Sequence, residues 1–294
     1  MAIAVVLGVI FTAALVVALV WYAVGVEDGW QVALFVVLIG AAGYVTSREA
    51  TDRMRHRAKF DPDTAPVEIT REEAVRIVEG HLGRLAALAD MRTPLADVFW
   101  AEAPLCWTTV GLSGTARVHV TTTLVQRLSD DQLAAVLAHE LSHVANGDAR
   151  VMTFIAGPPT WIVVALWEMW LVGGPRLRVA AFMFALLLSP LVLPASVNAR
   201  VVSRQRELAA DRGAAVLTGS PVALGSALLE LSGRLDRIPM RDLRTAGAGD
   251  LFYVLPTREA HGISRLWATH PPLGRRMAQL EQMEVGLHRA RPVL

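Results

Sequence analysis

The sequence contains a single cysteine, Cys106, among its 294 residues. One thiol excludes an internal disulfide framework and is typical of a protein from a reducing compartment. It also excludes a zinc site built from several cysteines. The formal net charge is only +1, and the chain shows no internal repeat, no low-complexity tract and no Gly-rich phosphate loop. Neither nucleic acid nor a nucleotide bound through a P-loop is therefore an expected partner.

Charged residues are missing from long stretches of the chain, which is 53 % hydrophobic with a mean hydropathy of +0.42. Residues 2–26, 29–47 and 179–199 carry no charge, and residues 151–175 carry only that of Glu168. An apolar helix of about 20 residues is long enough to cross a bilayer. The sequence therefore predicts a multi-pass membrane protein with about four transmembrane helices in a lipid bilayer.

The second pair of apolar stretches could instead form a buried hairpin in a soluble core. Trp161, Trp167 and Trp170 favour the membrane, because tryptophan is enriched at membrane interfaces. Proline pairs within both stretches predict kinked or partly re-entrant helices. The first stretch of the chain lacks the basic start of a cleaved signal peptide and exceeds its usual apolar run of about 7–15 residues. We interpret that stretch as an uncleaved anchor.

The basic residues predict which side of the membrane the polar segments occupy. The connection between the first two apolar stretches has no basic residue, which predicts that it lies outside the cytoplasm. Arg176 and Arg178, between the last two stretches, lie on the same predicted side and oppose this topology. By the positive-inside rule, residues 48–150 and 200–294 are cytoplasmic. The residues that support this follow the second and fourth stretches: Arg48, Arg53, Arg55, Arg57 and Lys59, then Arg200, Arg204, Arg206 and Arg212.

Two histidines four residues apart, His139 and His143, lie in the segment LAAVLAHELSHVANGD (133–148), with Glu140 directly after the first. Residues i and i+4 share one face of an α-helix, so both imidazoles can point at one metal ion. Glu140, at the edge of that face, can take a proton from a metal-bound water. A capping box at 129–132, apolar residues at helical spacing and Gly147 as a stop predict that helix. The alternative is a buried helix whose histidines are merely packed.

Catalytic zinc usually has three protein ligands, so a third one is needed. The segment SRQRELAADRGAAVL (203–217) offers Glu207 as that ligand, and Asp211 one turn later could accept a hydrogen bond from a liganding imidazole. The alternative for this pair is a solvated helix face. Elsewhere, a capping box at 70–73 predicts a helix through about Ala89. Residues 115–124 predict a strand, either one that pairs with an extended peptide or an ordinary sheet strand.

The order of these motifs resembles that of the HtpX-type membrane zinc metalloproteases, relatives of the CAAX prenyl proteases. The resemblance rests on HELSHVANGD, the hydrophobic pair after it, SRQRELAAD, LFYVLP and THPPLGRRM, and covers nearly the whole chain. It implies a mainly α fold with a small β-sheet and a discontinuous gluzincin-like catalytic domain that holds one Zn²⁺ per chain. It also implies a bacterial inner-membrane endopeptidase that cleaves polypeptides, misfolded membrane proteins among them, with its active site facing the cytoplasm.

The expected organisation alternates membrane and catalytic segments. Residues 1–47 form two transmembrane helices, and residues 48–150 form the first part of the protease domain. Residues 151–199 form two further membrane helices, and residues 200–294 form the second part of the protease domain with the third zinc ligand. Relatives usually carry an Asn-Ala-Phe stretch upstream of the metal helix, where this chain has PLCWTTVG (104–111). That departure bears on substrate contacts rather than on the metal ligands.

Two other functions fit the same motifs. One is a CAAX-type processing protease that acts on a defined peptide. The four predicted transmembrane helices argue against it, because proteases of that group have a larger number of them. The other is a non-proteolytic membrane scaffold or chaperone that keeps the metal. The presence of Glu140 argues against it, because a purely structural metal site needs no general base.

His270, in the family-like tail, is a candidate donor to the negative charge that develops on the substrate carbonyl oxygen. The alternative is that it caps the helix that the following prolines begin. As a donor, His270→Ala should keep zinc and lower turnover by about 10²–10³-fold. If His270 is a cap, His270→Ala should mainly lower the free energy of unfolding, by about 1 kcal/mol. Turnover and melting temperature measured on one preparation distinguish the two roles.

Overall fold

The structure, a computed structural model, describes residues 69–101, 104–111, 113–172, 174–235 and 270–290. The apolar stretches 2–26 and 29–47, the basic cluster at 48–59 and LFYVLP (251–256) lie outside these residues. The chain divides into two compact units, one containing Arg150–Ala199 and the other running to Ala149 and resuming at Arg200.

The described part of the chain is mostly helical with one small sheet. In chain order its elements are α1 (Arg71–Leu88), β1 (Leu95–Phe99), β2 (Cys106–Val110), β3 (Ala116–Thr121), α2 (Thr122–Arg127), α3 (Asp130–Ala145), α4 (Asp148–Val172), α5 (Pro175–Thr218), α6 (Pro221–Leu235) and α7 (Leu273–Ala290).

Both predicted capping boxes mark the start of a helix. Thr70 accepts a hydrogen bond from the backbone N–H of Glu73 at the start of α1. At the start of α3, Ser129 and Gln132 exchange both side-chain-to-backbone hydrogen bonds. Helix α3 ends at Ala145, and Gly147 then takes a φ of +67°, a left-handed conformation that suits glycine. The start and the stop predicted for the HELSH helix are therefore confirmed.

The sheet has the strand order β1–β3–β2, with β1 parallel and β2 antiparallel to β3. The strand predicted at 115–124 is β3 over Ala116–Thr121, but residues 122–124 are wrong as strand, because Thr121 caps α2 and the chain turns helical at Thr122. Both edges of β3 are occupied. It is an ordinary sheet strand rather than one that binds a peptide by edge pairing. Within the described residues, the outer edges of the sheet belong to β1 and β2.

Helix α3 belongs to the unit that runs to Ala149 and resumes at Arg200, where it packs against α1, β2 and α6. Its apolar side chains Leu133, Val136, Leu137 and Leu141 are at most 2 % exposed. Burial of each such side chain contributes about 1.5–3 kcal/mol. The HELSH motif is thus carried by a helix whose position the core determines.

The other unit contains the apolar parts of α4 and α5. Each helix continues through its proline pair, Pro158 and Pro159 in α4 and Pro190 and Pro194 in α5. In the described part of the chain, one helix, Arg178–Thr218, is long and apolar enough to cross a membrane, and 11 % of its most apolar stretch is buried inside the protein. Exposed apolar side chains along it suit a lipid environment.

A close approach between α3 and the polar end of α5 requires glycine at position 213. A Cβ atom there would lie 2.5 Å from Ser142 Oγ and 2.9 Å from Ser142 Cβ. The hydroxyl could rotate away, but the Cβ atom could not. Gly213 thereby allows the two helices to pack closely.

We therefore expect Gly213→Ala to push the helices apart and to lower the melting temperature, although alanine favours a helix by about 1 kcal/mol. The matched control is Gly80→Ala in α1, where an added Cβ would meet nothing within 4 Å. That variant should be as stable as the wild type or more so. Thermal unfolding of both proteins in detergent measures the difference. An equal rise in melting temperature for the two would contradict the packing argument.

Candidate metal centre

Three side chains from α3 and α5 converge on one point. The Nε2 atoms of His139 and His143 are 3.1 Å apart. Glu207 Oε2 lies 3.7 Å from His139 Nε2, and Glu207 Oε1 lies 3.5 Å from His143 Nε2. The structure thus brings together the three predicted ligands, with one ligand atom of each within 4.8 Å of the others.

These separations match the ligand shell of zinc. With Zn–N bonds of about 2.0–2.1 Å and tetrahedral angles, neighbouring ligand atoms lie about 3.3–3.4 Å apart. The three distances of 3.1, 3.5 and 3.7 Å lie on either side of that value. Two imidazoles and one carboxylate are also the ligand set of many catalytic zinc sites, which leave a fourth position open. The residues present therefore fit the ion.

Each imidazole is oriented by a carboxylate on its other nitrogen. His139 Nδ1 lies 3.0 Å from Asp211 Oδ1, and His143 Nδ1 lies 2.5 Å from Asp148 Oδ2. A hydrogen bond from Nδ1 fixes the tautomer that presents Nε2 to a metal. Asp211, which the sequence offers as an acceptor for a liganding imidazole, lies against His139. Asp148 was not singled out from the sequence, although it directly follows the Gly147 stop.

Each of these carboxylates is in turn held by an arginine. Arg276 binds Asp211 through two hydrogen bonds of 2.8 and 2.6 Å, and neither side chain is exposed. Arg206 pairs with Asp148 and donates a 2.9 Å hydrogen bond to the backbone oxygen of Asn146. Neither arginine was expected at the site, and the only signal for Arg276 is its place in the THPPLGRRM tail.

The charges around the site keep Glu207 and Asp211 ionised. Glu207 and Asp211 lie on the polar end of α5, beyond the apolar stretch 179–199. Burial alone would raise the pKa of Glu207, but three imidazoles, that of His270 foremost, outweigh it and hold the pKa well below its usual value. Burial is outweighed in the same way at Asp211, where Arg276 and His139 lower the pKa to about 2. Both groups are therefore anionic near neutral pH.

His270 lies beside the ligand set. Its side chain is buried, and its Nδ1 atom lies 3.1 Å from Glu207 Oε2. The fold therefore places His270 of the tail next to Glu207, one of the three candidate ligands.

Glu140 follows His139 on α3 and is 5 % exposed. Thr108 Oγ1, on β2, donates a 2.9 Å hydrogen bond to Glu140 Oε2. Cys106 lies on the same strand, and burial, with a smaller contribution from the charge of Glu140, raises the pKa of its thiol well above the usual value. The thiol is thus neutral, and no role as a metal ligand is indicated.

A mainly helical fold with a small sheet and this arrangement of His139, Glu140, His143 and Glu207 define a metallopeptidase-like protein. The family model described as peptidase family M48 matches residues 108–284, and the chain belongs to this family. The resemblance seen in the sequence motifs is therefore confirmed.

Several curated relatives carry the name of the HtpX proteases. "Protease HtpX homolog" of Moorella thermoacetica is 38% identical over 275 residues, which cover 91% of this chain and 88% of the relative. "Protease HtpX homolog 1" of Streptomyces coelicolor is 38% identical over 269 residues, 88% of this chain and 84% of the relative. "Protease HtpX homolog 2" of Methanosarcina mazei is 38% identical over 226 residues, 75% and 77% of the two chains.

A solved structure shares the fold. The crystal structure of S. mikatae Ste24p matches with a TM-score of 0.52 at 21% sequence identity and covers 91% of this chain. This chain spans 61% of Ste24p. At this identity the likeness concerns the fold alone.

The ligand set predicts distinct effects for Glu207 and for the carboxylates behind the imidazoles. Glu207→Ala should lose zinc and activity together, because two imidazoles are too few to hold the ion firmly. Asp211→Asn and Asp148→Asn should keep all three ligands and weaken zinc affinity by about 10–100-fold each. Metal analysis during titration with a chelator measures both effects. Glu281→Ala, which removes an exposed carboxylate from α7, is the control. Full zinc occupancy in Glu207→Ala would mean that the third ligand is elsewhere.

Proposed function

We propose that this chain is a zinc-dependent endopeptidase that hydrolyses polypeptides at a membrane. The observation that carries the proposal is the convergence of His139, His143 and Glu207 beside the buried carboxylate of Glu140. Membership of a peptidase family supports it. A structural metal would need no base next to its ligands, so the arrangement favours catalysis over a scaffold.

The proposed ligands of Zn²⁺ are His139, His143 and Glu207. Zinc held there would polarise the carbonyl of the scissile peptide and make water a better nucleophile at neutral pH. Glu140 is the general base, since its carboxylate can accept the proton of the attacking water and return it to the departing amine. Asp211 and Asp148 keep the two imidazoles in the tautomer that binds metal.

The outer edge of β2 offers a place for an extended substrate. The backbone oxygen of Leu105 accepts from Thr121, and the backbone N–H of Gly111 donates to Thr115, so this set of alternate residues faces β3. The residues between them, Thr108 included, direct their backbone groups to the outer edge. No strand among the described residues pairs with that edge. A polypeptide added there as a strand would lie next to Glu140.

His270 is proposed as a donor to the oxyanion of the reaction. Its buried position beside Glu207 supports a role at the site rather than a cap remote from it. The same contact lets its imidazole steady the third ligand. The His270→Ala measurement described above, with zinc content added, separates loss of turnover from loss of metal.

We propose that the protein lies in a bacterial inner membrane. There it would cleave misfolded membrane proteins as part of protein quality control. The apolar helix Arg178–Thr218 and the HtpX names of the relatives support the membrane setting. The basic residues after the apolar stretches support a cytoplasmic active site.

We therefore expect residue 28 to lie on the outer face of the membrane and residue 62 on the cytoplasmic face. Single cysteines introduced as Asp28→Cys and Pro62→Cys, in a Cys106→Ala background, test this with a membrane-impermeant thiol reagent on intact cells. Cys106 is 1 % exposed, so the background replacement removes a thiol that is already shielded. Position 28 should react and position 62 should not. The reverse pattern would overturn the cytoplasmic assignment.

The role of Glu140 predicts that Glu140→Gln keeps zinc and loses nearly all proteolysis, because the amide cannot accept the proton. The assay is cleavage of casein by purified protein in detergent, with and without a chelator, alongside metal analysis. Wild-type cleavage should disappear with the chelator and return with zinc. Robust cleavage by a Glu140→Gln preparation free of wild type would contradict the mechanism.

A further inference from the structure

A hydroxyl group from the sheet holds the buried carboxylate of Glu140. The side chain of Glu140 is 5 % exposed, and Thr108 Oγ1 donates to its Oε2 atom at 2.9 Å. A buried carboxylate without a donor is strongly disfavoured, and a hydrogen bond to a charged group is stronger than one between neutral groups. Thr108 therefore occupies one of the two oxygens of Glu140 and leaves the other for proton transfer.

Thr108 reaches Glu140 because of the alternation along β2. Successive side chains of a strand point to opposite faces of the sheet. Cys106 and Thr108 face α3, whereas Trp107 and Thr109 face the other way. Helix α3 packs directly on β2, so the strand can set the position of a side chain on the helix.

The opposite face of the sheet keeps β2 in place. Thr109 Oγ1 lies 2.8 Å from His119 Nε2, and His119 Nδ1 lies 2.5 Å from Asp97 Oδ2. The ring of Trp107 stacks on His119 with ring centroids 4.9 Å apart. These contacts connect all three strands of the sheet. The strand that carries Thr108 is therefore held independently of Glu140.

We propose that Thr108 is a positioning residue for the base of the proposed reaction, holding Glu140 through the hydrogen bond to Oε2. The inference rests on the proposed function. Thr108 is not required to bind zinc, since in the described structure its side chain hydrogen-bonds to Glu140 and not to any of the three ligands. Its loss leaves the metal in place and lets the base adopt orientations that are unproductive for proton transfer.

The test compares three variants of the full-length protein in detergent: Thr108→Val, Thr108→Ser and Thr109→Val. Valine keeps the shape of threonine without the hydroxyl, and serine keeps the hydroxyl. Thr108→Val should retain zinc and lower kcat for casein-derived peptides by roughly 10–100-fold with little change in KM, the loss expected for one hydrogen bond to a charged group. Thr108→Ser should restore most of the turnover. Thr109→Val removes a hydroxyl from the opposite face of the same strand and with it one contact to His119. The stacking of Trp107 on His119 and the pairing with β3 remain, so this variant should lower the melting temperature and keep a kcat close to that of the wild type.

Several results would overturn the inference while leaving the proposed function intact. One is a Thr108→Val variant as active as a wild type that itself cleaves peptide. A second is loss of zinc or of the folded state in Thr108→Ser as well as in Thr108→Val, which would make the residue structural. A third is an equal fall in kcat for Thr109→Val, which would assign the effect to strand stability. A zinc-loaded wild type that cleaves nothing would instead overturn the proposed function itself, and the inference with it.

Discussion

The buried ion pair between Arg276 and Asp211 is the interaction on which the rest of the site depends. Neither side chain is exposed to solvent. Moving such charges out of water costs several kcal/mol each, which a two-bond geometry of this kind can offset. Because Asp211 also meets His139 Nδ1, the pair orients the ring that presents Nε2 to the metal. One interaction thus connects α7, α5 and α3, which come from separate parts of the sequence.

The imidazole of His143 is also held by a carboxylate, but by one that lies only five residues further along the chain. Gly147, with its left-handed φ, turns the chain at the end of α3, and Asp148 then lies against His143. Arg206 pairs with Asp148 from the polar end of α5. That end of α5 therefore carries the ligand Glu207 and the carboxylate of Asp211 that orients His139. It also carries Arg206, which holds the carboxylate behind the other imidazole. The packing of α5 on α3 consequently decides whether all these contacts can form together.

The sequence predicts the parts of the site that obey local periodicity and leaves out those set by tertiary contacts. His139, Glu140 and His143 follow from helical spacing between a capping box and a glycine stop, and the structure has that helix. Arg276 could not be predicted as a buried partner of Asp211, because an arginine in a polar tail carries no local sign of burial. The order of the strands was also beyond prediction. Residues 115–124 have the pattern of a strand, but non-local pairing places that strand in the middle of the sheet and leaves β2 at its edge.

The register of β2 is determined by the residues next to its two threonines rather than by the threonines themselves. A shift of one residue would exchange the faces of the strand, so that Thr109 would point to α3 and Thr108 to His119. Both positions would still offer a hydroxyl, so the threonines alone cannot specify the register. Cys106 and Trp107 can, because the shift would move the indole into the core position of the small thiol and remove its stacking on His119. The single cysteine of the chain thus acts as a small core side chain, and its size helps to keep Thr108 opposite Glu140.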